Sequence, residues 1–199
     1  RLAPVLAEAI GFIRAATRKM DSLINAILKI SREGRRQLKP ESLNLPEVIG
    51  ASADAIHHQV ADNEGAINAD VVVDRIVTDR LSLEQVLGNL LDNAVKYRHP
   101  ERPLEVNITA KHVPGNRVKI AVQDNGRGIA NTDHERVFEL FRRSGVQSQP
   151  GEGIGLAHVR TLVRSLGGDI TLTSELGQGT TFFIDLPRDL RSHIGSQGK

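Results

Sequence analysis

The chain has 199 residues, 39% hydrophobic and 25% charged, the balance of an ordinary globular protein, so it holds one domain of common size and an additional element. Aromatics are 3%, which leaves an aliphatic core; the absence of cysteine excludes disulfide and thiol chemistry and is compatible with a reducing cytoplasm. A formal charge of +2 without a basic stripe argues against nucleic-acid binding, and no apolar run reaches the roughly 18 residues needed to cross a bilayer.

Residues 4–36 carry a helical pattern. Leu6, Ile10, Ile13, Thr17, Met20, Ile24, Ile27 and Ser31 recur at alternate spacings of four and three. That is a heptad seam, and it implies packing against other helices. Leu23, Leu28 and Ile30 widen the stripe towards a bundle. Gly34 and Pro40 end the helix. The chain opens on Arg1 with a helix at once, which reads as a piece of a longer protein. The predicted division is 1–40, 41–187 and a frayed tail over 188–199.

A second helix is expected over 45–63, with Pro46 in its first turn and Val48, Ile49, Ala53, Ile56 and Val60 on one face. From Ile67 the pattern turns strand-like, with short β-rich runs at 71–73 and 75–77. A helix over 81–97 buries Leu83, Val86, Leu87, Leu90, Leu91 and Ala94. Strands at 104–113 and 117–123 form a hairpin around Pro114-Gly115-Asn116. A glycine-rich turn follows at 124–129, then a mixed segment to 141 and a polar loop at 144–151, expected to be mobile. A helix over 154–166 precedes a hairpin of 169–174 and 180–186. Strands on both sides of a helical stretch predict one mixed sheet with helices on one face.

Four motifs are candidate sites, and each taken alone also has a plain reading: a solvated helix face, a tight turn, a helix start after a loop, and a hairpin. Asn89, Asn93 and Lys96 are spaced by four and three, so they share one helix face beside the apolar stripe. Amide oxygens are hard ligands suited to Mg²⁺, and a lysine there can meet phosphate. Asp124-Asn125-Gly126-Arg127-Gly128-Ile129 follows a strand; its carboxylate can accept from an exocyclic amine, and its glycines let the backbone approach a flat ligand. The same turn also suits a plain reversal of the chain. Gly151-Glu152-Gly153-Ile154-Gly155-Leu156 runs into a helix, whose free N–H groups and dipole favour a polyphosphate. It is neither a Walker loop nor a dinucleotide fingerprint. Gly177-Gln178-Gly179-Thr180 is by itself a hairpin turn.

Together these boxes, with Phe138-x-x-Phe141 between them, resemble the ATP-binding domain of sensor histidine kinases, of the family shared with DNA gyrase, mismatch-repair ATPases and heat-shock chaperone ATPases. The resemblance covers about residues 43–187. It implies an α+β chain: an α/β sandwich of the histidine kinase/gyrase ATPase (Bergerat) type, preceded by one long bundle-forming helix. It implies ATP and Mg²⁺ as ligands. Asn93 would be the main metal ligand, with Asn89 beside it. Lys96 and Tyr97 would face phosphate and ribose. Asp124 would read the adenine amine, and Gly126, Gly128 and Ile129 would shape the purine pocket. Phe138 and Phe141 match the box that anchors a lid; Arg142 and Arg143 would approach the triphosphate. Gly151, Gly153, Gly155 and Leu156 would wrap the phosphates, and Thr180 would lie at the adenine end.

In gyrase-like members the position of Asn89 holds a Glu that activates water. An amide is no base, which points to the kinase branch. Glu152 stands where these kinases often have Thr. Residues 4–36 resemble the second helix of the dimerisation and phosphotransfer hairpin. The implied reaction moves the γ-phosphoryl of ATP to a histidine upstream of Arg1, then to an aspartate of a response-regulator receiver domain, in a cytoplasmic homodimer formed through the N-terminal helix. His57, His58 and His158 read as surface or packing residues. A GHKL-type ATPase and a kinase-like regulatory module remain the alternatives.

Overall fold

The computed structural model describes residues 2–34, 36–62, 64–139 and 155–194. It divides into two compact units, 1–36 and 37–199. The calls on Phe141, Arg142, Arg143, Gly151 and Gly153, and on the loop at 144–151, lie outside the described residues.

The first unit is one helix, α1 (Leu2–Gly34), of 33 residues, about 50 Å at 1.5 Å per residue. Ile10, Ile13, Met20, Ile24, Ile27 and Leu28 are solvent-exposed along it, and Phe12 is 70% exposed. A helix of this kind buries its apolar stripe only against further helices.

The second unit contains β1 (Pro40–Asn44), α2 (Leu45–Ala61), β2 (Ala66–Val71), β3 (Arg75–Asp79) and α3 (Arg80–Lys96). It continues with β4 (Glu105–Val113), β5 (Arg117–Asp124), two 3₁₀ turns (Asn131–Asp133 and Arg136–Phe138), α4 (Gly155–Ser165), β6 (Asp169–Glu175), β7 (Gly179–Pro187) and α5 (Leu190–Ile194). Five strands form a sheet in the order β2-β4-β5-β7-β6. β2 runs parallel to β4 and the other pairings are antiparallel, which makes the predicted mixed sheet.

Alternate residues of the central strands turn inward: Val106, Ile108 and Ala110; Val118, Ile120 and Val122; Phe182, Ile184 and Leu186. They meet Leu83, Val86, Leu87, Leu90 and Leu91 of α3, Val159, Leu162 and Val163 of α4, and Val48, Ile49, Ile56 and Val60 of α2. The period of 2 in the strands and of 3.6 in the helices thus fill one aliphatic layer. α3 starts firmly: Asp79 caps it by accepting from Ser82 N at 2.9 Å and also accepts from Lys39 N at 2.8 Å.

Four expectations need correction. β1 is a strand where the reading places a domain boundary; Pro-Glu-Ser-Leu-Asn is short and polar, and it exists through pairing with β3, with Leu43 buried. The strand-like pattern from Ile67 belongs to β2 at 66–71, but 71–73 is no strand of its own: pairing with β4 ends at Val71, and Val73 leaves the sheet for the core. The tail is not frayed over 188–194. Leu190 is fully buried, Arg188 N donates to Asn116 O, and Val77 N donates to Arg188 O. α2 ends at Ala61, two residues short of the expected 63.

Truncating Leu91, fully buried in the layer, to Ala should lower unfolding free energy by about 2–5 kcal/mol. Leu176→Ala, at a 67%-exposed position, should stay within about 0.5 kcal/mol. Urea melts of the two variants check the assignment of the core.

Candidate functional site

α3 carries two stripes. One is apolar and faces the sheet. The other bears Asn89, Asn93 and Lys96, which are half-buried. Asn89 Nδ2 donates to Gln85 O at 2.7 Å, so the amide oxygen points away from its own helix. That oxygen lies 3.4 Å from where a side chain on Gly155 would begin. α3 therefore brings its first amide to the start of α4, where Gly155 and Leu156 leave backbone N–H groups without intrahelical partners.

The far end of α3 reaches the second box. Tyr97 is its C-cap, and Tyr97 O accepts from Arg127 N at 3.0 Å. A side chain on Gly126 would begin 2.6 Å from that same carbonyl. The Tyr97 ring lies under the Lys96 ammonium at 5.2 Å and the Arg127 guanidinium at 4.4 Å. From Asn89 to Tyr97 the helix rises about 12 Å. One rigid element thus connects the glycine-led helix start to the carboxylate turn.

Asp124 ends β5, opposite Val106 of β4 and Thr180 of β7. Its Oδ1 accepts from Gly126 N at 2.8 Å. Burial pushes its pKa from 3.8 up to about 6; the N–H donors of Gly126 and Thr180, and then the charge of Arg102, oppose the shift. A partly desolvated acceptor at a strand end is suited to a ligand donor.

Main chain forms the walls. Gly128, at φ +69°, has no room for a side chain because Glu175 O would lie 2.0 Å from it. Gly179, at φ +122°, meets Asp124 O in the same way. Ile129 N donates to Ser174 Oγ at 2.8 Å; that hydroxyl donates to Gly179 O at 2.7 Å and lies 2.9 Å from Thr180 Oγ1. Phe138 packs edge-on to Phe182 at 6.4 Å, with the Arg160 guanidinium 5.7 Å above its ring. His57 and His58 are exposed and His158 is buried, in keeping with surface and packing roles.

The structure therefore gathers Asn89, Asn93, Lys96, Tyr97, Asp124, Gly126, Gly128, Ile129, Gly155 and Thr180 around α3 and the ends of β5 and β7. Phe138 and Leu156 pack against the core beside them. The sequence reading missed Ser174, an unremarkable serine in a strand, and Arg102, whose guanidinium spans three carbonyls of the two turns. Neither stands in a motif, so only the folded register reveals it.

The folded pKa of Asp124 exceeds its unfolded value of 3.8. The native state then holds this proton more tightly, so its stabilisation is present below about pH 4 and lost as pH rises through about 6. Asp124→Asn should raise unfolding free energy of the ligand-free chain at neutral pH by on the order of 1–3 kcal/mol, after allowance for solvent screening. It should also flatten the pH dependence across that window. Denaturant melts from about pH 4 to about pH 8 check both; a variant less stable than its parent at neutral pH contradicts the account.

A family model described as histidine kinase-, DNA gyrase B- and HSP90-like ATPase matches residues 78–190. The chain is 32% identical over 184 residues to sensor protein RprX of Bacteroides fragilis, covering 89% of this chain and 35% of that protein. It is 34% identical over 179 residues to the adaptive-response sensory kinase SasA of a Synechococcus species, covering 87% of this chain and 47% of that protein. It thus spans about a third to a half of the length of these curated relatives. The solved structure of full-length ShkA in complex with AMPPNP superposes with a TM-score of 0.73 at 32% identity, covering 83% of this chain and 35% of that one. The family match over residues 78–190 takes in α3, the carboxylate turn, the start of α4 and the β6–β7 hairpin. This chain belongs to the histidine kinase-, DNA gyrase B- and HSP90-like ATPase family, as a catalytic ATP-binding domain of the histidine kinase kind.

Proposed function

We propose that this chain is the ATP-binding core of a sensor histidine kinase that phosphorylates a histidine on another segment for relay to the aspartate of a response regulator. The observation that carries this reading is the span of α3: its first amide, Asn89, adjoins the α4 start and its C-cap holds the Asp124 turn. A nucleotide laid along it has its base at Asp124 and its phosphates at Gly155. The ShkA complex with AMPPNP supports the same ligand class.

ATP and Mg²⁺ together supply an activated phosphoryl group with its charge partly neutralised. The protein residues bind and orient. Asp124, as a charged acceptor, accepts a hydrogen bond from the adenine amine N–H. Main chain at Gly126 and Gly128 lines the base. Asn93 offers an amide oxygen to the cation, with Asn89 beside it, and Lys96 sets a positive charge near the phosphates. The donor set fits Mg²⁺, which keeps waters and phosphate oxygens and takes few protein ligands. Among the described residues no three His, Cys, Asp or Glu side chains converge as a metal cage. Positioning and charge neutralisation do the work, and Asn89 offers no base to activate water.

Phe141 belongs to this reading as part of the lid box, and Arg142, Arg143, Gly151 and Gly153 as phosphate-side residues. The exposed α1 stripe fits a homodimer made through that helix in the longer protein. Among the described residues no helix is long and apolar enough to cross a membrane; placement in the cytoplasm belongs to the proposal.

Asn93→Ala should weaken ATP binding about tenfold or more with magnesium present and change it little with the metal chelated; calorimetry in both buffers checks this. The seven histidines of the chain all lie beyond α1. Incubation with γ-labelled ATP should therefore leave no acid-labile phosphate on this chain alone, and its appearance would refute the location of the acceptor.

A further inference from the structure

We infer that Arg102 is a positioning residue of the base pocket, its guanidinium tying the Asp124 turn to the tip of the β6–β7 hairpin at the separation a purine requires. The inference rests on the nucleotide reading given above.

Three carbonyls converge on this half-buried side chain. Arg102 Nε donates to Asn125 O at 2.8 Å, and one terminal nitrogen donates to Gly126 O at 2.9 Å and to Gly177 O at 2.6 Å. Two of these carbonyls belong to the carboxylate turn and one to the hairpin, 75 residues along the chain from Arg102. A planar fork with fixed donor directions sets distances that a flexible ammonium does not. The segment bearing Arg102 is itself pinned. Asn125 Nδ2 donates to Pro103 O at 3.0 Å, and Asn125 Oδ1 accepts from Glu105 N at 2.9 Å.

The two turns also meet directly. Gly177 N donates to Arg127 O at 2.7 Å, and Gly128 approaches Glu175 O too closely for any side chain. Arg102 closes the third side of this junction. Without it, three carbonyls at the pocket's back lose a charged donor. Its charge does a second thing: it favours ionisation of Asp124 against burial, alongside the neutral N–H donors of Gly126 and Thr180. A merely structural clamp would leave the titration of Asp124 in place; this one moves it.

The test compares the unaltered chain with R102M and R102K, using Mg-ATP and Mg-tripolyphosphate as probes, by calorimetry from about pH 5 to about pH 8. ATP affinity of the unaltered chain falls on the acid side as Asp124 gains its proton. R102M should lose about tenfold in ATP affinity at neutral pH while tripolyphosphate binding stays within about twofold. Its acid limb should move to higher pH. R102K should return the limb to its original place and recover part of the affinity. Equal ATP affinity and an unmoved limb in R102M overturn the inference, as does an equal loss for ATP and tripolyphosphate. Should R102M fail to fold, R102K decides: a selective ATP deficit supports the fork, and parental ATP affinity overturns it. Failure of the unaltered chain to bind ATP overturns the nucleotide reading and this inference together, whereas binding by the unaltered chain with R102M equal to it overturns the inference alone.

Discussion

A carboxylate placed where water is scarce has to be stabilised by whatever surrounds it. At the end of β5, Asp124 sits between two neighbouring strands, and burial alone moves it towards its neutral form. Two main-chain N–H groups and one guanidinium act against that. Much of the local geometry follows from these contacts. The chain has to reverse at Gly126 to aim its N–H back at the carboxylate, and β7 has to begin at Gly179, in a conformation closed to other residues, so that Thr180 lies opposite. The ligand-free protein carries the cost of an incompletely compensated charge, and a donor from a bound base would complete its shell. In the proposed nucleotide site, stability and recognition would therefore be opposed at this residue.

The second dependence is on α3. Its helical period sets an apolar stripe and a polar stripe on one rigid rod, so the core that fixes the rod also fixes the site. Asp79 sets where it starts, the aliphatic layer sets its rotation, and Tyr97 sets where it meets the carboxylate turn. A substitution that rotates α3 in its bed displaces Asn89 and Asn93 together. In the proposed site, such a change would act on binding from a position that touches no ligand.

The parts of the molecule that sequence alone makes legible are those whose signal is local. The stripe of α3 repeats within five turns, and its two amides and lysine lie within eight residues of one another. The carboxylate turn, the hairpin at Gly115-Asn116 and the glycine-led start of α4 are equally short-range. The missed elements share a different physics. β1 is polar and short, and it exists because a distant partner offers a ladder; β2, strand-like from Ile67 in sequence, takes its bounds from its pairing with β4. α5 is held by Leu190 entering the core and by main-chain bonds of Arg188 to Asn116 and Val77. Arg102 reaches partners 23, 24 and 75 residues away, and Ser174 earns its role from register across β6 and β7. Side chains of this kind have no neighbours in the sequence to announce them.

The walls beside Asp124 are made largely of peptide groups, at Gly126, Gly128, Glu175 and Gly179. An inhibitor shaped to those surfaces would touch atoms that every amino acid shares. Exchanging Gly128 or Gly179 for another residue collides with a neighbouring carbonyl before it can exclude the drug. Escape from such a compound would have to come from side chains beside those walls, among them Tyr97 and Arg127.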